Sequence, residues 1–343
     1  GQISVAGAMN LGTGSLAIEG TSSSNYTYAA LLADNTYSGG TTLGTASNYV
    51  WGMVAGSARA FGTGDVTVTW ADIYAAADLN LSSATFSLVR GNVWLASSIP
   101  GGLGTADFDG LQYNPSSINA NVYDLRYGTI YVPMHGGAGG VTKTTGSTVT
   151  LNASNDFTGT ITVGGATTGG ILNLYGANTG VGAITLLGSG SQLVAGAQGA
   201  LGDVARGTTV NLGTQLRLDT QSASPQTYNY TTTRAYDFDS AEPLTIGGTY
   251  TGGATTAASA LYNFSGISRL SGAITLLGGT SASPQATTIA AGTNSKLYLT
   301  GPIGVETGKY ANLTLRVDSG TRFAGGQISV AGAMNLGTGS LAI

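Results

Sequence analysis

The chain contains no cysteine, one histidine and few charges. Lys and Arg number 12 and Asp and Glu 16, so charged side chains make up 8% of 343 residues, against about 25% in an ordinary soluble domain. Without cysteine there is no disulfide framework and no thiolate metal site. With one histidine, a transition-metal centre has little to be built from. A net charge of −4 with so few basic residues argues against a nucleic-acid surface, which needs clustered Lys and Arg to release counterions. There are seven prolines but no Pro-rich run, charge block or polar tract that reads as a linker. The uncharged stretch from Phe157 to Gly202 is broken throughout by Gly, Thr and Ser, so it is not a bilayer-spanning helix. No basic region followed by an apolar stretch reads as a secretory signal. The expectation is a mature or internal piece with no transmembrane segment.

What is abundant is apolar and small. Hydrophobic residues are 42% of the chain and glycine fills 56 positions, roughly twice its usual share. Chains this apolar and this weakly charged fold or associate. The sequence also repeats itself. Gly1 to Ile18 reads GQISVAGAMNLGTGSLAI, and Gly326 to Ile343 reads the same, at an offset of 325 residues. The expected meaning is one period of a tandem array plus the start of the next copy. The rival is a discrete subunit with duplicated ends. Weaker echoes lie inside the period: GAITLLG at Gly182–Gly188 and Gly272–Gly278, and SASPQ at Ser222–Gln226 and Ser281–Gln285. An aromatic-hydroxyl-glycine triplet recurs at Tyr37, Phe157, Tyr250 and Phe264. The irregular spacing suits a solenoid with variable corners.

Short segments such as Val66–Trp70, Leu216–Asp219 and Leu313–Asp318 alternate apolar with polar side chains. That is the two-residue period of a strand with one buried face. Gly-Gly, Gly-Thr, Asn-Thr and Ser-Gly turns separate them. Only Ala71–Leu79 reads as a candidate short helix. Very short strands, glycine corners and a small-residue interior predict an all-β fold, a parallel β-helix (β-solenoid). Rungs of ~20–25 residues would give ~13–16 coils per period, rising ~60–80 Å. A β-sandwich array is the alternative. A porin-like barrel is disfavoured, because an exact terminal repeat has no role in a closed single-chain barrel.

Asn35-Thr36-Tyr37-Ser38-Gly39-Gly40-Thr41-Thr42, followed by Ala60-Phe61-Gly62-Thr63-Gly64-Asp65-Val66-Thr67-Val68, resembles the autotransporter-associated β-strand repeat. A looser copy starts at Asn155-Asp156-Phe157-Thr158-Gly159 and finishes at Ala200-Leu201-Gly202 and Gly207-Thr208-Thr209-Val210. The resemblance covers about a quarter of the chain. It implies a right-handed β-helix of the kind found in secreted bacterial passenger domains and giant surface proteins, hence an extracellular or cell-surface, bacterial location. No C-terminal translocator barrel is visible, and the spacing within each copy is stretched.

From residue 71 to 140 the Gly-Thr texture thins, aromatics rise, and Pro100, Pro115 and Pro133 appear. The expected organisation is therefore solenoid coils over 1–70, an aromatic-rich insertion or side-lobe over 71–140, coils over 141–325, and the next copy over 326–343. Trp94, Tyr113, Tyr123, Tyr127 and Tyr131 are the candidate contact residues, for a neighbouring fibre or a glycan. A local satellite core is the competing reading. Two Asp-Phe-Asp triplets supply Asp107, Asp109, Asp237 and Asp239, whose i and i+2 carboxylates share a strand face and are the candidates for Ca²⁺ or a two-carboxylate glycosidase. The competing reading is a pair of solvent-facing acids flanking a buried Phe. His135 has no partner in sequence reach and reads as a loop histidine, and six Asn-x-Ser/Thr sequons follow from composition. No catalytic residue, cofactor or resident metal is expected. The expected function is structural: a fibre, sheath or surface-layer segment, continuous along its axis and partnered laterally by itself. The alternatives are an adhesin binding glycan through the 71–140 lobe, and a polysaccharide-degrading β-helix enzyme.

Overall fold

The computed structural model describes residues 2–22, 24, 26–98, 116–180, 182–220, 236–250, 252, 258–318 and 325–343. Strands take up 46% of the chain, and the one helical turn among the described residues is the 3₁₀ segment Ala96–Ser98. Two compact units are present: Gly1–Thr142 with Ser147–Gly159, and Lys143–Gly146 with Thr160–Ile343. Each is a parallel β-solenoid.

In the first unit one ladder runs Gln2–Val5, Tyr28–Leu31, Val50–Ala55, Ala71–Ala75, Gly91–Leu95, Gly128–Ile130 and Thr148–Leu151. The other runs Leu16–Ile18, Thr41–Leu43, Val66–Val68, Leu79–Leu88, Ile118–Leu125 and Val141–Lys143. Partners in register are one coil apart in sequence: Gln2 pairs with Tyr28, Tyr28 with Gly52, Ala71 with Gly91. In the second unit the ladders run Ile171–Leu174 to Leu341–Ala342 and Ile161–Val163 to Met334–Asn335. A third side, Phe238–Ser240, Ile267–Leu270, Lys296–Leu299 and Gln327–Val330, is added there.

Register keeps one parity of each strand inside. Ala29, Met53, Ile73, Val93, Ile130 and Leu151 form one inward column, and every member is buried. Leu172, Leu193, Leu216, Leu261, Ile289 and Leu315 form its counterpart in the second unit. Like stacks on like at strand spacing, so each apolar side chain gains dispersion contacts from the coils above and below.

The corners explain the Asn-x-Tyr/Phe-Ser/Thr-Gly motif. Buried Asn35 accepts from Met9 N (2.7 Å) and donates to Ala60 O (2.6 Å), tying three coils together. Tyr37 is fully buried, its hydroxyl 2.7 Å from Thr41 Oγ1, which donates to Phe61 O. Asn155 accepts from Met134 N, and Asn178 donates to Ala200 O. The asparagines thus satisfy backbone groups that a corner would otherwise bury unpaired.

Two expectations differ from the outcome. Ala71–Leu79 holds no helix: Ala71–Ala75 is a strand, with Ala71, Ile73 and Ala75 buried inward and Asp72 turned out. Its short apolar run fitted both periods, and pairing on both edges decided for the strand. The region 71–140 is not a separate lobe over its described part, because it supplies strands to both ladders. The register explains the change in texture: Gly91 pairs with Gly128, 37 positions on, so this coil carries extra chain. Residues 99–115 lie outside the described residues.

Candidate functional site

The two described acidic candidates, Asp237 and Asp239, are spoken for. Asp239 takes a bidentate pair from Arg269, with Nε at 2.8 Å. Asp237 accepts from Ile267 N at 2.8 Å. Phe238 between them is fully buried, which is the arrangement of two outward acids flanking a core Phe. Asp107 and Asp109 lie outside the described residues. Among the described residues no three His, Asp or Glu side chains gather as metal ligands would. His135 does have a partner, Asp156, on the next coil, and both are well exposed.

The aromatic candidates separate by strand parity. Tyr123 is a core residue and not a contact residue: it is fully buried, in register with Phe86. Its ring lies between Phe86 and Phe157, with centroids 6.3 and 6.4 Å away. Its hydroxyl accepts from Ala120 N and faces the carbonyls of Ile118 (2.8 Å) and His135 (2.7 Å). Burial raises its pKa. Tyr123→Phe therefore removes a hydroxyl shared by one buried amide and two carbonyls and is expected to cost about 1 kcal/mol, measured by urea unfolding followed through tryptophan emission. Trp94 stacks on Tyr131 at 4.3 Å and leans on a small outer cluster of Ala30, Val54, Tyr74, Ala76 and Ala96. This is a satellite core on the outer face. Tyr127 alone of the five is both described and largely exposed, at 48%. Tyr113 lies outside the described residues.

Beside Tyr127 lies a groove of about 320 Å³ in the first unit. Its floor is a polar outward column in register on successive coils, Asp72, Asn92, Thr129 and Thr150. Asp72 Oδ1 accepts from Asn92 N and Nδ2, both at 2.9 Å, and Asn92 Oδ1 accepts from Thr129 N at 3.1 Å. Burial, then the Asp72 carboxylate, raises the Tyr49 pKa. The wall carries Tyr49, Trp70, Arg90 and Tyr127. The Arg90 guanidinium lies 3.9 Å over the Trp70 ring and, among the described residues, makes no hydrogen bond or ion pair. Sequence reasoning passed over Tyr49, Trp70, Asp72, Arg90 and Asn92. A signal was there: Asp72-Ile73-Tyr74 is echoed in kind by Asn92-Val93-Trp94 one coil later.

The outer face of the second unit is different. Thr162, Thr185, Thr209, Thr245 and Thr275 stand in register on successive coils, each half-buried between two inward residues, all apolar except Thr208. This is an uncharged single file of threonines.

The duplicated segment occurs with two different neighbours. In the first copy Ile3 pairs with Ala29, Val5 with Leu31 and Leu16 with Thr41. In the second, Ile328 pairs with Leu297, Val330 with Leu299, Met334 with Ile303 and Leu341 with Leu313. One copy is seen against the coil that follows it, the other against the coil that precedes it. The remaining edge of each opens on an apolar hollow. Ile3, Val5, Met9, Leu16 and Ile18 line a hollow of about 190 Å³. Ile328, Val330, Met334, Leu341 and Ile343 line one of about 530 Å³. These are the same five positions of the repeat. No family model, curated protein or solved structure matches the chain.

Proposed function

We propose that the chain is a length of structural rod: one period of a covalent tandem array, extracellular and bacterial, that carries load along its axis and associates side by side. One observation carries the axial part. The repeated segment pairs on either edge with the same parity, although its two copies belong to different ladders, Gln2–Val5 to the first and Gln327–Val330 to the third side. Laid over each other, the two copies continue the columns Leu297–Ile3–Ala29, Leu299–Val5–Leu31 and Leu313–Leu16–Thr41. A slip of one residue would turn every inward side chain outward, so agreement of parity on both edges is what an uninterrupted ladder requires. It would also cover the five apolar side chains that each copy leaves open. The secreted setting rests on the resemblance at Asn35–Thr42 and Ala60–Val68.

The test is the mass of the native polypeptide on a strongly denaturing gel. A species far above 34.1 kDa is expected. A species near that mass would sink the covalent array.

The threonine file supports the lateral part. It is neutral, flat and repeated at strand spacing, so little charge opposes contact with its own kind. Thr209→Lys with Thr245→Lys is expected to abolish side-by-side bundles in electron micrographs and leave the circular dichroism spectrum unchanged. Bundles that persist would assign lateral contact to another face.

A further inference from the structure

We infer that the groove over Asp72, Asn92, Thr129 and Thr150 is a binding site for a neutral saccharide chain lying along the coil axis. The argument is chemical and does not depend on axial continuity. A saccharide offers C–H faces and dense hydroxyls, and a site for it needs an open aromatic face beside fixed, planar polar groups. Tyr127 supplies the face: it is 48% exposed and lines the groove, and no other ring among the described residues stacks on it. The negative face of an aromatic ring favours the weakly positive C–H edge of a sugar.

Arg90 supplies the donors. Its guanidinium lies 3.9 Å over the Trp70 ring, a contact that limits the side-chain entropy left to lose, and its planar N–H groups suit paired oxygens. The floor is fixed before any ligand arrives, because Asp72, Asn92 and Thr129 are already bonded to one another across coils. Such preorganisation lowers the cost of binding. About 320 Å³ is within the range of small-ligand clefts. The walls and floor step with the coils, so a polymer along the axis meets repeated polar positions at strand spacing.

Charge selects the class. Arg90 and Asp72 cancel, so the groove gives an anionic chain no net attraction. Its polar floor gives a lipid or an apolar peptide little to bury.

The test titrates the full chain with cellohexaose, maltohexaose and chitohexaose, with polygalacturonate as the acidic probe. Tryptophan emission is the readout, since Trp70 sits in the groove wall. At least one neutral hexasaccharide is expected to bind with Kd below about 1 mM. Tyr127→Ala and Arg90→Gln are each expected to weaken that binding by about tenfold or more, a loss typical of a residue central to a site. Tyr175→Ala, an exposed tyrosine of the second unit, should leave it unchanged. Isothermal calorimetry repeats the measurement for Arg90→Gln, because losing the guanidinium also alters Trp70 emission. The inference is overturned if none of the three neutral sugars binds, if only polygalacturonate binds, or if neither groove variant weakens binding. A negative result here and a high mass on the denaturing gel would separate the groove from the rod.

Discussion

Gly128→Ala is expected to cost the first unit about 4 kcal/mol or more, placing it among the largest single-residue effects. Gly128 has φ +132°, in the region side chains rarely adopt, and it begins a strand paired to Gly91. A Cβ there would lie 1.6 Å from the Gly91 carbonyl oxygen. Gly91 repeats the problem one coil earlier, at φ +141° and 1.7 Å from Ala71 O. The obstructing atoms are backbone, held by ladder hydrogen bonds on both sides, so no rotamer change relieves the overlap. All three tryptophans, Trp51, Trp70 and Trp94, belong to the first unit, and their emission in urea reports its unfolding. The midpoint should drop sharply for Gly128→Ala. Gly7→Ala is the control: nothing lies within 4 Å of a Cβ there and its φ is ordinary, so it should stay within about 0.5 kcal/mol of the parent. Equal midpoints for the two variants would refute the account of this corner. Gly91 and Gly128 also line the saccharide groove, so the same substitution should impair binding there.

Much of this architecture is legible in the residues. Three-residue strands such as Ile161-Thr162-Val163 and Leu244-Thr245-Ile246 declare two inward positions and one outward. Repeated GAITLLG places its Ile-Thr-Leu on equivalent strands, Ile184–Leu186 and Ile274–Leu276. Asn35 and Tyr37 recur in kind as Asn155 and Phe157 because the corner needs a backbone-satisfying amide and a buried ring. Tyr123 joined the contact candidates because aromatics are dense nearby. It shares parity with Leu125, yet Ile118 and Ala120 of the opposite parity also face inward, because the register shifts between Ala120 and Val122. Parity read from the start of the strand would have turned Tyr123 outward. The groove was harder to see. Its members come from several coils, and nothing in Trp70 or Arg90 alone says that register brings them to one wall. Lys143 was not foreseeable at all: it is fully buried, its Nζ turned back on Thr145 Oγ1 at 2.9 Å.

The second unit is expected to lose about 3 kcal/mol of stability between pH 5 and pH 8 through one carboxyl group. Glu242 is 2% exposed. Thr208 Oγ1 donates to its Oε1 at 2.7 Å, while Oε2 is buried with no hydrogen-bond partner. Burial pushes its pKa up to about 7; Asp203 adds to the rise, and the Thr208 bond offsets part of it. In the unfolded chain the same group titrates near about 4.3. Between those values the folded state holds a proton that the unfolded state has released. Stability is therefore fully present below the unfolded pKa, falls as pH rises through the folded pKa, and levels off above it. Glu242→Gln keeps an oxygen for Thr208 and removes the ionisation, so it should flatten this part of the profile and gain most at pH 8. Hydrogen exchange of the Leu244–Ile246 amides, taken at pH 5 and pH 8 and corrected for intrinsic rates, compares the two proteins directly. The parent should open more readily at pH 8 and the variant should not. An unchanged pH difference in Glu242→Gln would assign the effect to other acids. The position also bears on the rod, because Leu244–Ile246 carries the threonine file through Thr245. A coil loosened at high pH would disturb that file where neighbouring rods would meet, so side-by-side bundles should be more persistent at pH 5 than at pH 8.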